Sequence, residues 1–339
     1  MGTFSMLTLT LRAACAAALC LAVAAPAGAG TLDMPALQAR LDRLAHDFPG
    51  QAGIAVRDGV TGAEMGVKAR ERFPEQSVFK LTVAIALLDL VDHGRMDLAQ
   101  KVTLYPKDRS VYWQPLAKNI TPAGWTTTLD DLMARMVADS DNVAADTVLR
   151  LIGGPAAVQA ALTARGLDGI RVDRDERHLQ SDILGLTWKD AYVEPAAFRA
   201  AADAVPVATR LAKREAYLSD PRDTAQPATM ALLLDRLDKG ELLSPASTRR
   251  LLDILDHTTT QPNRLKAGLA AGWTVAHKPG AGPSVEGVTL ANNDVGLMTA
   301  PDGHRYAVAV YVASVQGPRE RADAFIASVA RAVVESWKP

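Results

Sequence analysis

Polar and apolar positions divide the chain into three regions. Residues 37–48 carry helical periodicity, and residues 53–57 alternate as a short strand. Thr61-Gly62 is a turn signal before a second strand at 64–68, which predicts a hairpin. Residues 77–92 are mostly apolar and lack Gly and Pro, and His93-Gly94 closes that run as a helix C-cap. Helical patterns then dominate to about residue 256, at 129–136, 142–151, 156–165, 229–239 and 245–255. Strand patterns return at 273–277, 286–299 and 305–314, and 318–337 reads as a final amphipathic helix. No internal repeat or low-complexity tract is present, and the Ala-rich stretch 196–204 reads as plain helix. Strands at both ends and helices between them predict an α+β fold. One antiparallel sheet is built from both termini with flanking helices, and an all-helical domain is inserted between its halves.

The first 29 residues change how composition is read. Arg12 is the only charge before Asp33, and an apolar run of about 13 residues follows it to Pro26-Ala27-Gly28-Ala29. That run is short for a membrane span, which needs about 20 residues. Its small-residue ending fits an export signal cleaved near Ala29. Removing it takes Cys15 and Cys20 away, so the mature chain has no disulfide, thiol nucleophile or Cys-based metal site. It also takes the net charge from −1 to −2. That balance lacks the basic excess of nucleic-acid binders. About 310 residues remain, enough for one large domain or two interleaved ones. The chain is expected to be periplasmic or secreted, monomeric and without a membrane anchor. The six histidines contain no i, i+4 pair, so no metal is expected.

Four polar groupings carry candidate chemistry. Ser77-Val78-Phe79-Lys80 opens a helical run, and i, i+3 spacing puts Ser77 and Lys80 on one face. A serine hydroxyl needs a base to take its proton, and a desolvated lysine can serve. Alone the motif is weak. Ser140-Asp141-Asn142 precedes another helical run and presents a hydroxyl and an amide together. These residue types are also favoured N-caps, so capping is the competing reading. His277-Lys278-Pro279-Gly280-Ala281-Gly282 ends an alternating strand with a lysine and small residues, or is an ordinary strand end. Glu176, within Arg174-Asp175-Glu176-Arg177-His178-Leu179-Gln180, lies 36 residues after Ser140 in a polar loop. It gains weight only from the other three.

Taken together these segments resemble class A serine β-lactamases. Phe73 to Lys80 resembles their active-site segment, Ser140-Asp141-Asn142 their S-D-N loop, and Arg174-x-Glu176-x-x-Leu179 the start of their Ω-loop. Asp220-Pro221-Arg222-Asp223-Thr224-Ala225-Gln226-Pro227 resembles the end of that loop. Arg264 to Leu269, then Trp273 and Lys278-x-Gly280, resembles the approach to their K-[ST]-G strand. The matches fall in family order over about residues 35–339. The resemblance implies an α/β domain at 30–70 and 257–339, a helical domain at 71–256, and an active site between them. It also implies hydrolysis of the β-lactam amide without a cofactor. Ser77 would be acylated, Lys80 with or without Glu176 would take its proton, and Ser77 and Ala281 backbone N–H groups would form the oxyanion hole. Ser140, polarised by Lys278, would protonate the leaving nitrogen, and Glu176 would activate the deacylating water. Asn142, Trp113, Gln180, Arg264, Pro279 and Gly280 would contact substrate.

Three departures from the family pattern accompany the resemblance. Pro279 replaces the usual Thr or Ser, removing a hydroxyl that would meet the substrate carboxylate, for which Arg264 is the candidate substitute. Gln180 stands where Asn is usual. The enlarged Ω-loop, at about 174–223, places Asp220 40 residues after Gln180, an insertion of about 30. It includes a helical run at 194–218. These departures keep open an alternative, a D-Ala-D-Ala peptidase, penicillin-binding protein or other serine hydrolase of altered range.

Overall fold

A computed structural model gives the architecture and describes Met1 and residues 30–339. The expected export signal and both cysteines lie outside the described residues. A central antiparallel sheet runs in the order Glu64–Val67, Gln51–Asp58, Arg305–Gln316, Val288–Thr299, Thr274–Ala281. Ser284–Val285 adds a short sixth strand beside Val288–Thr299. Both ends of the chain therefore supply the sheet. They meet again where Thr31–Leu32 pairs with Trp337–Lys338.

The alternation along Arg305–Gln316 shows how the sheet holds two cores. Ala307, Ala309, Tyr311 and Ala313 join the core shared with the inserted helices. Tyr306, Val308, Val310 and Val312 face a second core under helices α1 (Met34–Asp47) and α11 (Glu320–Ser336). A strand covered on both faces has no polar side, so its sequence reads as a nearly continuous apolar run.

Helix α2 (Phe79–Asp92) is buried from Phe79 to Leu88. A helix apolar all round is stable only in the interior, and α2 is accordingly the axis of the helical layer. Against it pack α3 (Leu129–Ala138), α4 (Asn142–Leu151), α5 (Pro155–Thr163) and α10 (Pro245–Asp256); α9 (Pro227–Asp238) lies on the sheet, and α6 (Glu176–Leu184), α7 (Pro195–Asp203) and α8 (Val207–Ser219) follow α5 in the chain.

Three local departures from the sequence reading bear on the site. Ser77 sits in a 3-10 turn, Gln76–Val78, rather than in α2. Glu176 opens a helix rather than lying in a loop, because Asp175 caps it by accepting from the His178 N–H at 2.8 Å. The helical run at 194–218 is two helices, because Pro206 interrupts it ahead of α8.

Candidate active site

The Gln76–Val78 turn and the Thr274–Ala281 edge strand lie against each other. Gly280 makes this approach possible: a Cβ there would come within 2.6 Å of the Glu75 carbonyl oxygen. Asn293 clamps the turn from the neighbouring strand, donating to the carbonyls of Pro74 at 2.8 Å and Glu75 at 2.9 Å. Pro279 is tolerated because its strand is at the sheet edge, and pairing continues through Ala281, opposite Asn292. The Ser77 side chain thereby reaches a cleft of about 500 Å³.

Ser77, Lys80, Ser140, Asn142, Glu176 and Lys278 converge there. Lys80 is fully buried. Its Nζ donates to the Ser140 carbonyl at 2.8 Å and to Asn142 Oδ1 at 2.5 Å, and lies 3.0 Å from Glu176 Oε1. That same carboxylate oxygen is 3.3 Å from Ser77 Oγ. Across the cleft Lys278 Nζ donates to Ser140 Oγ at 3.0 Å and to the Pro279 carbonyl at 2.8 Å. Burial, and then the charge of Lys80, pull the Lys278 ammonium well below the usual lysine range. Ser140 holds a left-handed φ of 59°. Backbone strain of this kind clusters at functional sites.

Within Ser140-Asp141-Asn142 one residue caps a helix and the other two line the cleft. Asp141 is the N-cap of α4, accepting from Ala144 N–H at 3.0 Å and Leu116 N–H at 2.7 Å. The cap fixes the segment so that its two neighbours face the cleft. Trp113 stands on the rim, 58% exposed, with its indole N–H donating to the Asp139 carbonyl at 2.7 Å. Ala281, Gly280 and Pro279 line the opposite wall.

Glu176 is held from three directions. Its backbone N–H donates to Asp146 Oδ1 at 2.8 Å, and Ser110 Oγ donates to the other Asp146 oxygen at 2.6 Å. Burial, with Asp175 and Glu176 close by, pushes the Asp146 carboxyl well above the ordinary range. Gln180 Nε2 donates to Glu176 Oε2 at 3.0 Å and to Gln76 Oε1 at 3.1 Å. Gln76 in turn donates to the hydroxyl of Tyr217, on α8. An unbroken chain of side chains thus links the inserted helices to Glu176. Beneath them Arg174 ties both ends of the loop together, with Nε 2.6 Å from Asp223 Oδ2 and Nη1 2.9 Å from Asp182 Oδ2.

Arg264 does not meet the expectation of a substrate contact. Its side chain is 0% exposed and is absent from the cleft wall. Nε donates to Asp323 at 2.8 Å, Nη1 to the carbonyls of Gly280 at 2.9 Å and Asn293 at 2.8 Å, and Nη2 to Asn292 at 2.5 Å. It is a buried brace behind the strand, because these internal acceptors consume its fork. Arg319 stands on the cleft wall instead, donating to the Gly282 carbonyl at 2.6 Å. Its place at the start of α11 has no signature in local sequence. Tyr112 and Tyr217 were likewise invisible as functional neighbours, since long-range packing alone brings them there. His277 is buried, with Nδ1 2.9 Å from Asp294 Oδ1. Among the described residues no group of three or more His, Cys, Asp or Glu is arranged to hold a metal.

The geometry can be set beside known proteins. The model of the beta-lactamase enzyme family matches residues 36–337. The chain is 29% identical to beta-lactamase VEB-1 of Pseudomonas aeruginosa over 282 residues, covering 82% of this chain and 83% of that one. It is 28% identical to the carbapenem-hydrolyzing beta-lactamase KPC of Klebsiella oxytoca, covering 86% of each. Among solved structures, an ancestral class A beta-lactamase superposes with a TM-score of 0.72 at 33% identity, covering 88% of this chain and 99% of that one. A beta-lactamase from Chitinophaga pinensis superposes with a TM-score of 0.73 at 29% identity, covering 87% and 97%.

Proposed function

The chain belongs to the beta-lactamase enzyme family, and from that premise we propose that it is a class A serine β-lactamase that opens the lactam amide through an acyl-enzyme on Ser77. The observation that carries this reading is the contact of one carboxylate oxygen, Glu176 Oε1, with both Ser77 Oγ at 3.3 Å and Lys80 Nζ at 3.0 Å.

That contact also supports a division of labour. An ammonium has three N–H donors, and those of Lys80 face Ser140, Asn142 and Glu176. With its donors so engaged, Lys80 has no lone pair aimed at Ser77. It acts as a fixed positive charge, while Glu176 holds the acceptor that faces the hydroxyl. Glu176 takes the Ser77 proton as Oγ attacks the lactam carbonyl. The oxyanion is met by the backbone N–H groups of Ser77 and Ala281, a type of donor typically worth about 3–4 kcal/mol each. Ser140, oriented by Lys278, hands its proton to the lactam nitrogen as the C–N bond breaks. The proton held by Glu176 returns to the Ser140 oxygen, and Glu176, a carboxylate again, removes a proton from water. The water oxygen attacks the ester, and that proton passes to Ser77 Oγ as the ester C–O bond breaks. Gln180 and Gln76 keep that carboxylate in place.

A penicillin-binding protein needs no base aimed at its ester. A fixed Glu176 favours turnover over permanent acylation. The division into a helical unit at 71–256 and an α/β unit from 30–70 and 257–339, with the cleft between, belongs to this proposal. So do export to the periplasm through residues 1–29 and a monomeric state. The apolar run after Arg12 supports the first of these. Among the described residues no helix is long and apolar enough to cross a membrane. The test is hydrolysis of a chromogenic cephalosporin. Wild type turns it over, and Ser77→Ala reduces the rate to background. Equal rates for the two proteins overturn the reading.

A further inference from the structure

The insertion builds a second cavity beside the catalytic cleft. Phe198 on α7 packs against Tyr112, and Tyr192, just before α7, packs with Phe198 and Val111. Tyr112 and Phe198 have ring centroids 5.5 Å apart at 88°, and Tyr192 and Phe198 5.6 Å apart at 70°. These are edge-to-face contacts. They frame a space of about 490 Å³ whose wall is aromatic and apolar at Val111, Tyr112, Leu184, Tyr192, Phe198 and Ala202 and polar at Ser110, Gln114, Arg199 and Asp203. That volume is in the range of small-molecule pockets, which are mostly apolar and aromatic. Arg210 on its rim is occupied with Glu286, at 2.7 Å, and the Val205 carbonyl, at 2.7 Å.

The wall is fixed to the catalytic machinery. Arg177, next to Glu176, donates to the carbonyls of Arg109 at 3.0 Å and Lys107 at 2.8 Å. Its guanidinium lies 5.1 Å over the Trp188 ring, and Trp188 meets Tyr192 edge-on. Only the segment from Val111 to Trp113 separates the cavity from the cleft. Tyr112 lines both spaces. Asn142, a wall of the cleft, donates from Nδ2 to the Val111 carbonyl and from its N–H to the Trp113 carbonyl, each at 2.9 Å. Tyr112 holds a left-handed φ of 56°, which L side chains rarely adopt, and stands 53% exposed between the two.

We propose that this cavity extends the substrate site and takes a bulky aromatic acyl side chain, so that the enzyme favours β-lactams carrying large aryl acylamino groups. The proposal rests on the cleft being a β-lactam site. The occupant follows from adjacency, since the exposed Tyr112 lines both spaces. A side chain leaving the lactam next to Asn142 meets Tyr112 first, and beyond it a pocket of aromatic edges that suit a ring face.

Three penicillins test this: the free-amine nucleus, its phenylacetyl derivative and its biphenylacetyl derivative. In wild type, kcat/KM for the biphenylacetyl derivative exceeds that for the phenylacetyl derivative by about tenfold or more, the gain expected from burying one further ring. Ala202→Trp fills the cavity from a half-buried helix position and brings the biphenylacetyl-to-phenylacetyl ratio back toward one. Ala202→Leu gives an intermediate ratio. A ratio cancels any general loss of folded enzyme. A wild-type ratio near one, or a ratio unmoved by both substitutions, overturns the proposal while hydrolysis of the nucleus leaves the β-lactamase reading standing. Failure to hydrolyse any of the three overturns both.

Discussion

Arg174→Ala removes the tie that closes the enlarged loop beneath Glu176. Arg174 bridges Asp223 at 2.6 Å, Asp182 at 2.9 Å and Asp220 at 3.4 Å. These pairs are not equal. Asp182 is 43% exposed at its side chain, where an ion pair contributes about 0–1 kcal/mol. Asp223 is buried, and leaving one member of a buried pair alone costs about 3–5 kcal/mol. The Asp223 carboxylate keeps the backbone N–H of Asp173, at 2.7 Å, so the lower end applies, about 3 kcal/mol. For a domain of this size each kcal/mol moves Tm by about 2 °C, which gives a drop of about 6 °C. Burial raises the Asp223 carboxyl above its ordinary range, and Arg174 opposes that rise. Without Arg174 it rises further. A protonated Asp223 needs no partner, so the Tm loss is smaller at pH 4.5 than at pH 7.5. The loop also carries Glu176, so the acyl-enzyme lives longer. Calorimetry at the two pH values and acyl-enzyme lifetimes by mass spectrometry check both effects. A Tm within about 1 °C of wild type at pH 7.5, with an unchanged lifetime, refutes the reasoning.

Three further substitutions probe separate parts of the account. Tyr217→Phe deprives Gln76 of its acceptor at the start of the chain to Glu176; a lost hydrogen bond of about 1 kcal/mol slows both single-turnover acylation and deacylation by up to about fivefold, and unchanged rates for both count against that chain. Arg264→Ala lowers Tm by about 6 °C or more with little change in KM, because its bonds are internal; a large KM increase at unchanged Tm contradicts the buried brace. Glu75 is buried with neither carboxylate oxygen partnered, and burial, then Asp223, push its carboxyl well above the ordinary range. The folded state therefore keeps a proton that the unfolded chain loses above about pH 4.5. Its contribution to stability is complete below that pH and is lost as pH rises through the folded value. Glu75→Gln removes this slope, as urea unfolding across pH 4 to 8 will show.

Legibility of the sequence followed from how local each feature is. The sheet from both termini was readable because the hairpin at 51–67 and the strands after 273 carry period-2 patterns with turn signals. Ser77 and Lys80 were readable because both lie in one short segment. The helix at Glu176 was missed because its cap depends on Asp175, one acidic residue among several in a polar stretch. Arg264 was misplaced because an arginine near a substrate strand can face either side of the sheet. The direction was decided by Asp323 and Asn292, 59 and 28 residues away in sequence. Arg319 and Tyr217 reach the site by tertiary packing that no spacing records. The inserted helices were visible as helices, but Pro206 alone did not reveal that they would face Gln76 and Tyr112.

The central claim is that Glu176, fixed against Ser77 and Lys80, completes a turnover cycle. Time-resolved mass spectrometry of wild type and Glu176→Gln mixed with benzylpenicillin tests it most directly. Wild type is expected to show unmodified protein at steady state and hydrolysed penicillin in solution. Glu176→Gln is expected to form the adduct on Ser77 more slowly, since it lacks the acylation base as well, and then to hold it, heavier by one intact penicillin, at least a hundredfold longer than wild type. Indefinite acylation of the wild type, or rapid release of the adduct by Glu176→Gln, contradicts the account.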